Sequence, residues 1–165
     1  MPKTLLFLFA FITASITAWC AQKDTVQLNG LPVHGYFFRK EPKPLKMFGC
    51  NMPGHDVSLF SDNEYVYATE QGTVVAVIDI PGAGITLLVR MPDDRFAVYG
   101  NLDTAFVKKE ETIHAGQPLG KLLRDDNDKN YLLYFELWKV KAKRPIAYTD
   151  EEIEHYLSGL QHPGE

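Results

Sequence analysis

The histidines and cysteines of this chain, well suited to hold a metal, carry a proton or attack an electrophile, are few and scattered. Asp56 follows His55 in Gly54-His55-Asp56-Val57, ahead of the run Ser58-Leu59-Phe60. Neighbours on a strand point to opposite faces, so one metal ion does not see both His55 and Asp56. His34, His114, His155 and His162 fall in a leading segment, a turn, a terminal helix and the tail, and they read as surface histidines rather than a ligand set. Cys20 and Cys50 lack the CxxC spacing of a redox or zinc pair. They can pair in an oxidising compartment if a leader is cut before Cys20; otherwise Cys50 reads as a small core hydrophobe. Asp125-Asp126-Asn127-Asp128 has neither the spaced oxygen ligands nor the turn Gly and closing Glu of a calcium loop, so it reads as a solvated connection. The carboxylate of Asp56 is the natural place to look for chemistry.

The elements that would position Asp56 are short runs rich in β-branched and aromatic residues. After Val57-Ser58-Leu59-Phe60 come Tyr65-Val66-Tyr67-Ala68, a Gln71-Gly72 turn and Thr73-Val74-Val75-Ala76-Val77, which predicts a β-hairpin about Gly72. Pro81-Gly82-Ala83-Gly84 is a turn, Ile85 to Arg90 a strand, Pro92-Asp93-Asp94 a second turn and Arg95 to Tyr99 another strand. Val107 to Gly120 reads as extended with a tight turn at Ala115-Gly116, and Gly116 and Gly120 are the expected sites of backbone conformations closed to other residues. Leu132 to Val140 is a strand with Phe135 and Leu137 on one face and Tyr134, Glu136 and Trp138 on the other. Upstream, Val26 to Leu28, Asn29-Gly30 and Leu31 to Arg39 predict a small hairpin laid against the main sheet, and Glu41-Pro42-Lys43-Pro44 a connector. Strands of this length between Gly, Pro and Asp turns describe an all-β antiparallel sheet or sandwich. The end of the chain differs. Thr149 and Glu152 have capping-box spacing, and Ile153, Tyr156, Leu157 and Leu160 fall on one helical stripe, predicting a short C-terminal helix from Asp150 to about Leu160.

At 165 residues the chain supports one domain. A formal charge of -4 leaves no basic footprint and argues against nucleic acid as a partner. Lys3, the apolar run Leu5 to Ile16 and the small residues Ala14, Ser15, Thr17 and Ala18 form a secretory signal over residues 1–21, so a secreted or periplasmic protein is expected. Trp19 occupies the place of the small residue that precedes a lipid-modified Cys, which weighs against a lipoprotein anchored at Cys20. No segment besides the leader is long and apolar enough to span a bilayer. The expected division is a signal over 1–21, an N-terminal segment over 22–48, a β domain over 49–148, and a helix and tail over 149–165.

Four segments together resemble the lysostaphin-type (LytM-like) zinc endopeptidases that cut peptidoglycan peptide bridges. Gly54-His55-Asp56-Val57, followed by Tyr65 to Ala68 and Gln71 to Val75, is similar to the family's opening hairpin. Tyr99-Gly100-Asn101-Leu102 is similar to its Tyr-Ala-His-Leu segment, and Val107 to Gly120 to its Val-Lys-x-Gly-Asp-x-Val-x-x-Gly-Gln-x-Ile-Gly stretch. Leu132-Leu133-Tyr134-Phe135-Glu136-Leu137 stands where the family has His-Leu-His-Phe-Glu-Leu. The resemblance implies an all-β LytM-like antiparallel sheet or sandwich, a duplicated hybrid motif of barrel-sandwich type, with a short C-terminal helix added.

The resemblance also implies where the chemistry was. The family holds zinc with a His, an Asp four residues later and the second His of the His-x-His pair; the first His of that pair and the His of the Tyr-Ala-His segment serve the water and the transition state. Those positions read Met52, Asp56, Tyr134, Leu132 and Asn101 here, so only the Asp remains. The expectation is a catalytically degenerate domain with no zinc and no catalytic residue. Its groove of Met52, Asp56, Asn101, Leu132 and Tyr134 either binds peptidoglycan or a cell-wall hydrolase, or is filled as core. Two other readings stand beside it: an active zinc peptidase with displaced ligands, and an adaptor of the biotinyl or lipoyl kind, for which the candidate turn residues of Val107 to Gly120 offer no modified-Lys tripeptide.

Overall fold

The computed structural model describes residues 31–39, 45–47, 50–52, 57–124 and 130–161. In chain order its elements are β1 (Gly35–Arg39), β2 (Leu45–Met47), β3 (Cys50–Met52), β4 (Val57–Ser61), β5 (Tyr65–Tyr67), β6 (Gly72–Ile80), β7 (Gly84–Arg90), β8 (Arg95–Ala105), β9 (Thr112–Ile113), β10 (Pro118–Leu122), β11 (Tyr131–Lys141), β12 (Arg144–Ala147) and α1 (Asp150–Gln161). The main sheet runs β1-β4-β11-β8-β7-β6-β9, with β10 attached to β8 and β5, and β12 to β11. Every strand pairing is antiparallel, so the expectation of an all-β antiparallel sheet with one short C-terminal helix holds.

The 11-residue strand β8 is the hub. Its first half pairs with β11 from Arg95 to Gly100, and its last residues pair with β10 from Leu102 to Ala105. The strand changes partner at Asn101, whose φ of 66° lies in the left-handed region. Asn tolerates that region better than most residues because its short amide bonds locally. The backbone bend at one residue therefore decides which part of β8 faces which neighbour.

Two local expectations are corrected. The hairpin about Gly72 does not form: β5 pairs with β10, and β6 pairs with β7 and β9. The Ala68 N–H donates to the Gln117 carbonyl at 2.9 Å, and the Gly116 N–H to the Ala68 carbonyl at 2.8 Å, so the ladder that β6 would have used is taken by a segment distant in sequence. Gly72 serves a close approach instead, since a Cβ there would lie 2.6 Å from the Arg90 carbonyl oxygen. Gly116 has the expected positive φ of 75°. Gly120 does not; it is needed because a Cβ would strike the Thr104 carbonyl oxygen and lie 2.7 Å from Leu102 Cδ2. The leading segment lies against the main sheet, with β1 paired to β4. Asn29-Gly30, residues 41–44, residues 125–129 and the whole of 1–30, with Cys20 and the expected leader, lie outside the described residues.

One apolar core joins both ends of the described chain. Leu87, Ala97, Tyr99, Leu119, Leu133, Phe135 and Leu137 lie in it from the sheet, Val33 from the leading segment, and Ile153 and Leu157 from α1. The helix begins with the expected reciprocal cap: the Thr149 N–H donates to Glu152 Oε2 at 2.7 Å, and the Glu152 N–H to Thr149 Oγ1 at 3.3 Å. Its stripe is buried as predicted, with Tyr156 and Leu160 packed at the margin. A polar clasp adds to this docking. Glu70 accepts two hydrogen bonds from Arg95, at 3.0 and 2.8 Å, and one from the Tyr156 hydroxyl at 2.8 Å.

Candidate functional site

Strand β11 divides its residues by parity. Leu133, Phe135 and Leu137 enter the main core, which leaves Leu132, Tyr134, Glu136 and Trp138 for the opposite face. On that face Tyr134 stands opposite Gly100 of β8 and Ser58 of β4, Glu136 opposite Val98, and Trp138 opposite Phe96. A Cβ at Gly100 would lie 3.3 Å from Tyr134 Cβ and Cδ1 and 3.4 Å from Thr86 Oγ1. The glycine lets the tyrosine lie close over β8.

These side chains form a hydrogen-bonded row. The Tyr134 hydroxyl donates to Glu136 Oε1 at 2.7 Å, and Trp138 Nε1 donates to Glu136 Oε2 at 2.6 Å. Glu136 has no exposed surface, and a carboxylate is retained in such a place only when its oxygens find donors. Beside it Val98 and Trp138, with Leu88, Phe96 and Ala147, make a second, smaller apolar cluster. Glu136 was not singled out from sequence as a site residue. The signal was present, since an acid alternates with Tyr134 and Trp138 on one face of an otherwise apolar strand.

Three of the five expected site positions are brought together. Asn101 Nδ2 donates to the Leu132 carbonyl at 2.7 Å, and the Asn101 carbonyl accepts from the Leu123 N–H at 2.9 Å. Tyr134 is two residues on from Leu132 along β11, and all three side chains are partly buried. Met52 is placed only by its backbone, in β3 opposite Leu45 of β2. Asp56 lies outside the described residues. Among the described residues no three His, Cys, Asp or Glu side chains gather in a metal-binding cluster. His114 and His155 are exposed and His34 is partly buried, whereas His55 and His162 lie outside the description.

The other notable polar residues sit away from this face. Tyr99 is fully buried in the main core; its hydroxyl lies 3.0 Å from Thr69 Oγ1 and accepts from the Thr69 N–H at 3.1 Å. Burial pushes its pKa up to about 12, against the opposing effect of those bonds to Thr69. Burial likewise raises the Tyr156 phenol, and the hydrogen bond to Glu70 raises Arg95. A separate open cleft of about 390 Å³, lined by Gln71, Thr73, Arg90, Met91 and Thr112 among others, contains none of the expected site residues.

Comparison with known proteins bears on the face just described. Residues 52–147 match peptidase family M23. The murein hydrolase activator NlpD of Escherichia coli (strain K12) is 26% identical over 125 residues, covering 73% of this chain and 32% of that protein. The lipoprotein NlpD of Yersinia enterocolitica is 28% identical over 93 residues, covering 55% of this chain and 95% of that sequence. This chain thus spans about a third of the length of the E. coli relative. Among solved structures, the solution structure of lysostaphin superposes with a TM-score of 0.56 at 18% identity, over 76% of this chain and 51% of that one, a likeness of fold alone.

Proposed function

The chain belongs to peptidase family M23, and from that premise we propose that it is a catalytically degenerate LytM-like domain of the cell envelope. It works by binding, through the groove of Met52, Asp56, Asn101, Leu132 and Tyr134, and its partner is peptidoglycan or a cell-wall hydrolase. The observation that carries this reading is the engagement of the residues at the family's catalytic positions. Leu132 is a hydrocarbon there and carries no proton. Asn101 donates one amide N–H to the Leu132 carbonyl, and an amide does not act as a base near neutral pH. The Tyr134 phenol donates to Glu136, and would have to lose its proton against a pKa of about 10 to bind a metal.

Zinc does not fit this donor set. A catalytic zinc site takes three nitrogen, thiolate or carboxylate ligands and leaves a position for water. The thioether of Met52 suits softer ions, which leaves Asp56 as the one matching ligand. Of the two partner classes, a hydrolase is the better supported, because the relatives include proteins named murein hydrolase activators. The lipoprotein among them supports an envelope location.

The experiment is a wall-hydrolysis assay on isolated peptidoglycan, run with the purified protein alone and with the murein hydrolases of the same organism, each with zinc and with chelator. The expected result is no cleavage by the protein alone and faster cleavage by at least one hydrolase in its presence. Zinc-dependent cleavage by the protein alone would overturn the proposal and favour a peptidase with displaced ligands.

A further inference from the structure

Glu136 is the one buried charged residue among the described residues. It lies behind the groove rather than in it, next after Tyr134 on the same face of β11. Val98 stands opposite it on β8, and Val98 and Trp138 belong to the smaller apolar cluster. A charge in such surroundings is costly unless its oxygens are paired, and an apolar side chain would complete that cluster at less cost. What the carboxylate does that a hydrocarbon could not is to hold two donors in fixed directions.

The two donors differ in freedom. Trp138 Nε1 can only donate, and it meets Glu136 Oε2 at 2.6 Å. The Tyr134 hydroxyl has one proton to give and lone pairs with which to accept. Both oxygens of an ionised Glu136 are acceptors, so the hydroxyl gives its proton to Oε1, at 2.7 Å. With that proton given, any further partner of the Tyr134 oxygen must itself be a donor. The charge of the carboxylate reinforces this, since an O–H bonded to an anion is polarised and its oxygen becomes a better acceptor. The same charge repels a second carboxylate brought to the phenol. Gly100 admits the Tyr134 ring close over β8, and Glu136 sets the direction of its proton.

We infer that Glu136 is a positioning residue of the groove. It acts through Tyr134, holding the phenol as a hydrogen-bond acceptor, so that the group bound at Tyr134 is an N–H donor, a peptide amide or an ammonium, and not a carboxylate. This rests on the reading of the groove as a binding surface. The peptides of peptidoglycan and a segment of a hydrolase both offer such donors, and the probe used separates them. Glu136→Gln reverses the arrangement at nearly constant size. Because Trp138 can only donate, the new amide oxygen must serve it, which turns the amide N–H toward Tyr134. The hydroxyl then accepts from residue 136 and sends its own proton elsewhere.

Resonance Raman spectra of the purified protein read this directly. The intensity ratio of the tyrosine doublet separates donating from accepting phenols, and the difference between wild type and Tyr134→Phe isolates Tyr134. The wild-type phenol should read as a donor and that of Glu136→Gln as an acceptor, with the Trp138 indole N–H bonded in both. Affinity is then measured for isolated peptidoglycan and, separately, for the murein hydrolases of the same organism. Glu136→Gln and Tyr134→Phe should each weaken binding to one of these probes on the order of tenfold, and the double variant no more than either alone, because both remove the same acceptor. A wild-type phenol that accepts overturns the inference whether or not the Gln variant folds. So does a Gln variant whose phenol still donates, or a pair of losses that multiply in the double variant, and each of these leaves the groove reading standing. A wild type that binds neither probe overturns both.

Discussion

The two faces of β11 are made from the same eleven residues and behave differently. Toward the main core it presents Leu133, Phe135 and Leu137, none more than 1% exposed, and Phe135 meets the Tyr99 ring edge-on at 5.3 Å. Toward the other side it presents Leu132, Tyr134, Glu136 and Trp138, the last three tied by side-chain hydrogen bonds through the buried Glu136 carboxylate. A strand's period of two lets one segment carry a stability surface and a site surface without either disturbing the other. The opposite face carries the buried Glu136 carboxylate with its donors Tyr134 and Trp138.

Substitutions on the two faces separate them. The largest loss is expected from Phe135→Ala, at about 3–5 kcal/mol, because it opens a cavity in the main core; chemical denaturation measures it, and a loss under about 1 kcal/mol would mean that the core relaxes freely. Glu136→Ala should cost less, about 1–3 kcal/mol, since it leaves Trp138 Nε1 and the Tyr134 hydroxyl without this acceptor but keeps the main core. A loss as large as that of Phe135→Ala would show that the two faces are one cooperative unit.

The smallest effect is a pH dependence belonging to the core face. The Tyr99 phenol titrates near 12 when folded, above its ordinary value of 10.0. The stability from keeping it neutral is complete below pH 10 and is lost as pH rises from 10 toward 12, because the unfolded chain releases that proton first. Tyr99→Phe should make the alkaline limb of the melting curve shallower, at a cost of about 1 kcal/mol near neutral pH for the bonds with Thr69. An unchanged alkaline limb would assign that limb to other groups, Tyr156 first.

Much of this contrast was legible in the sequence. The alternation in Leu132 to Val140 sorted Phe135 and Leu137 from Tyr134, Glu136 and Trp138, because period and burial coincide on a central strand. The capping box at Thr149 and Glu152 was legible because it is local. The pairing of β5 was not: a Gly between two β-branched runs reads as a hairpin turn, but Gly72 is there for its lack of a Cβ beside Arg90. Gly120 was misjudged for the same reason, its demand being steric and set by β8. The clasp of Glu70 with Arg95 and Tyr156 joins residues far apart in the chain, and nothing in local composition signals it.

The central claim is that the family's zinc position is now a binding surface without metal, and Asp56 is where it is most exposed to test. Without a metal, Asp56→Asn is a nearly isosteric change that deletes a charge, so its effect on stability should be small. The measurement is thermal melting of wild type and Asp56→Asn, each with zinc and with chelator. The predicted result is four coincident transitions. A wild type that loses several degrees in chelator, beside a variant that does not respond, would contradict the claim by showing a metal held at Asp56.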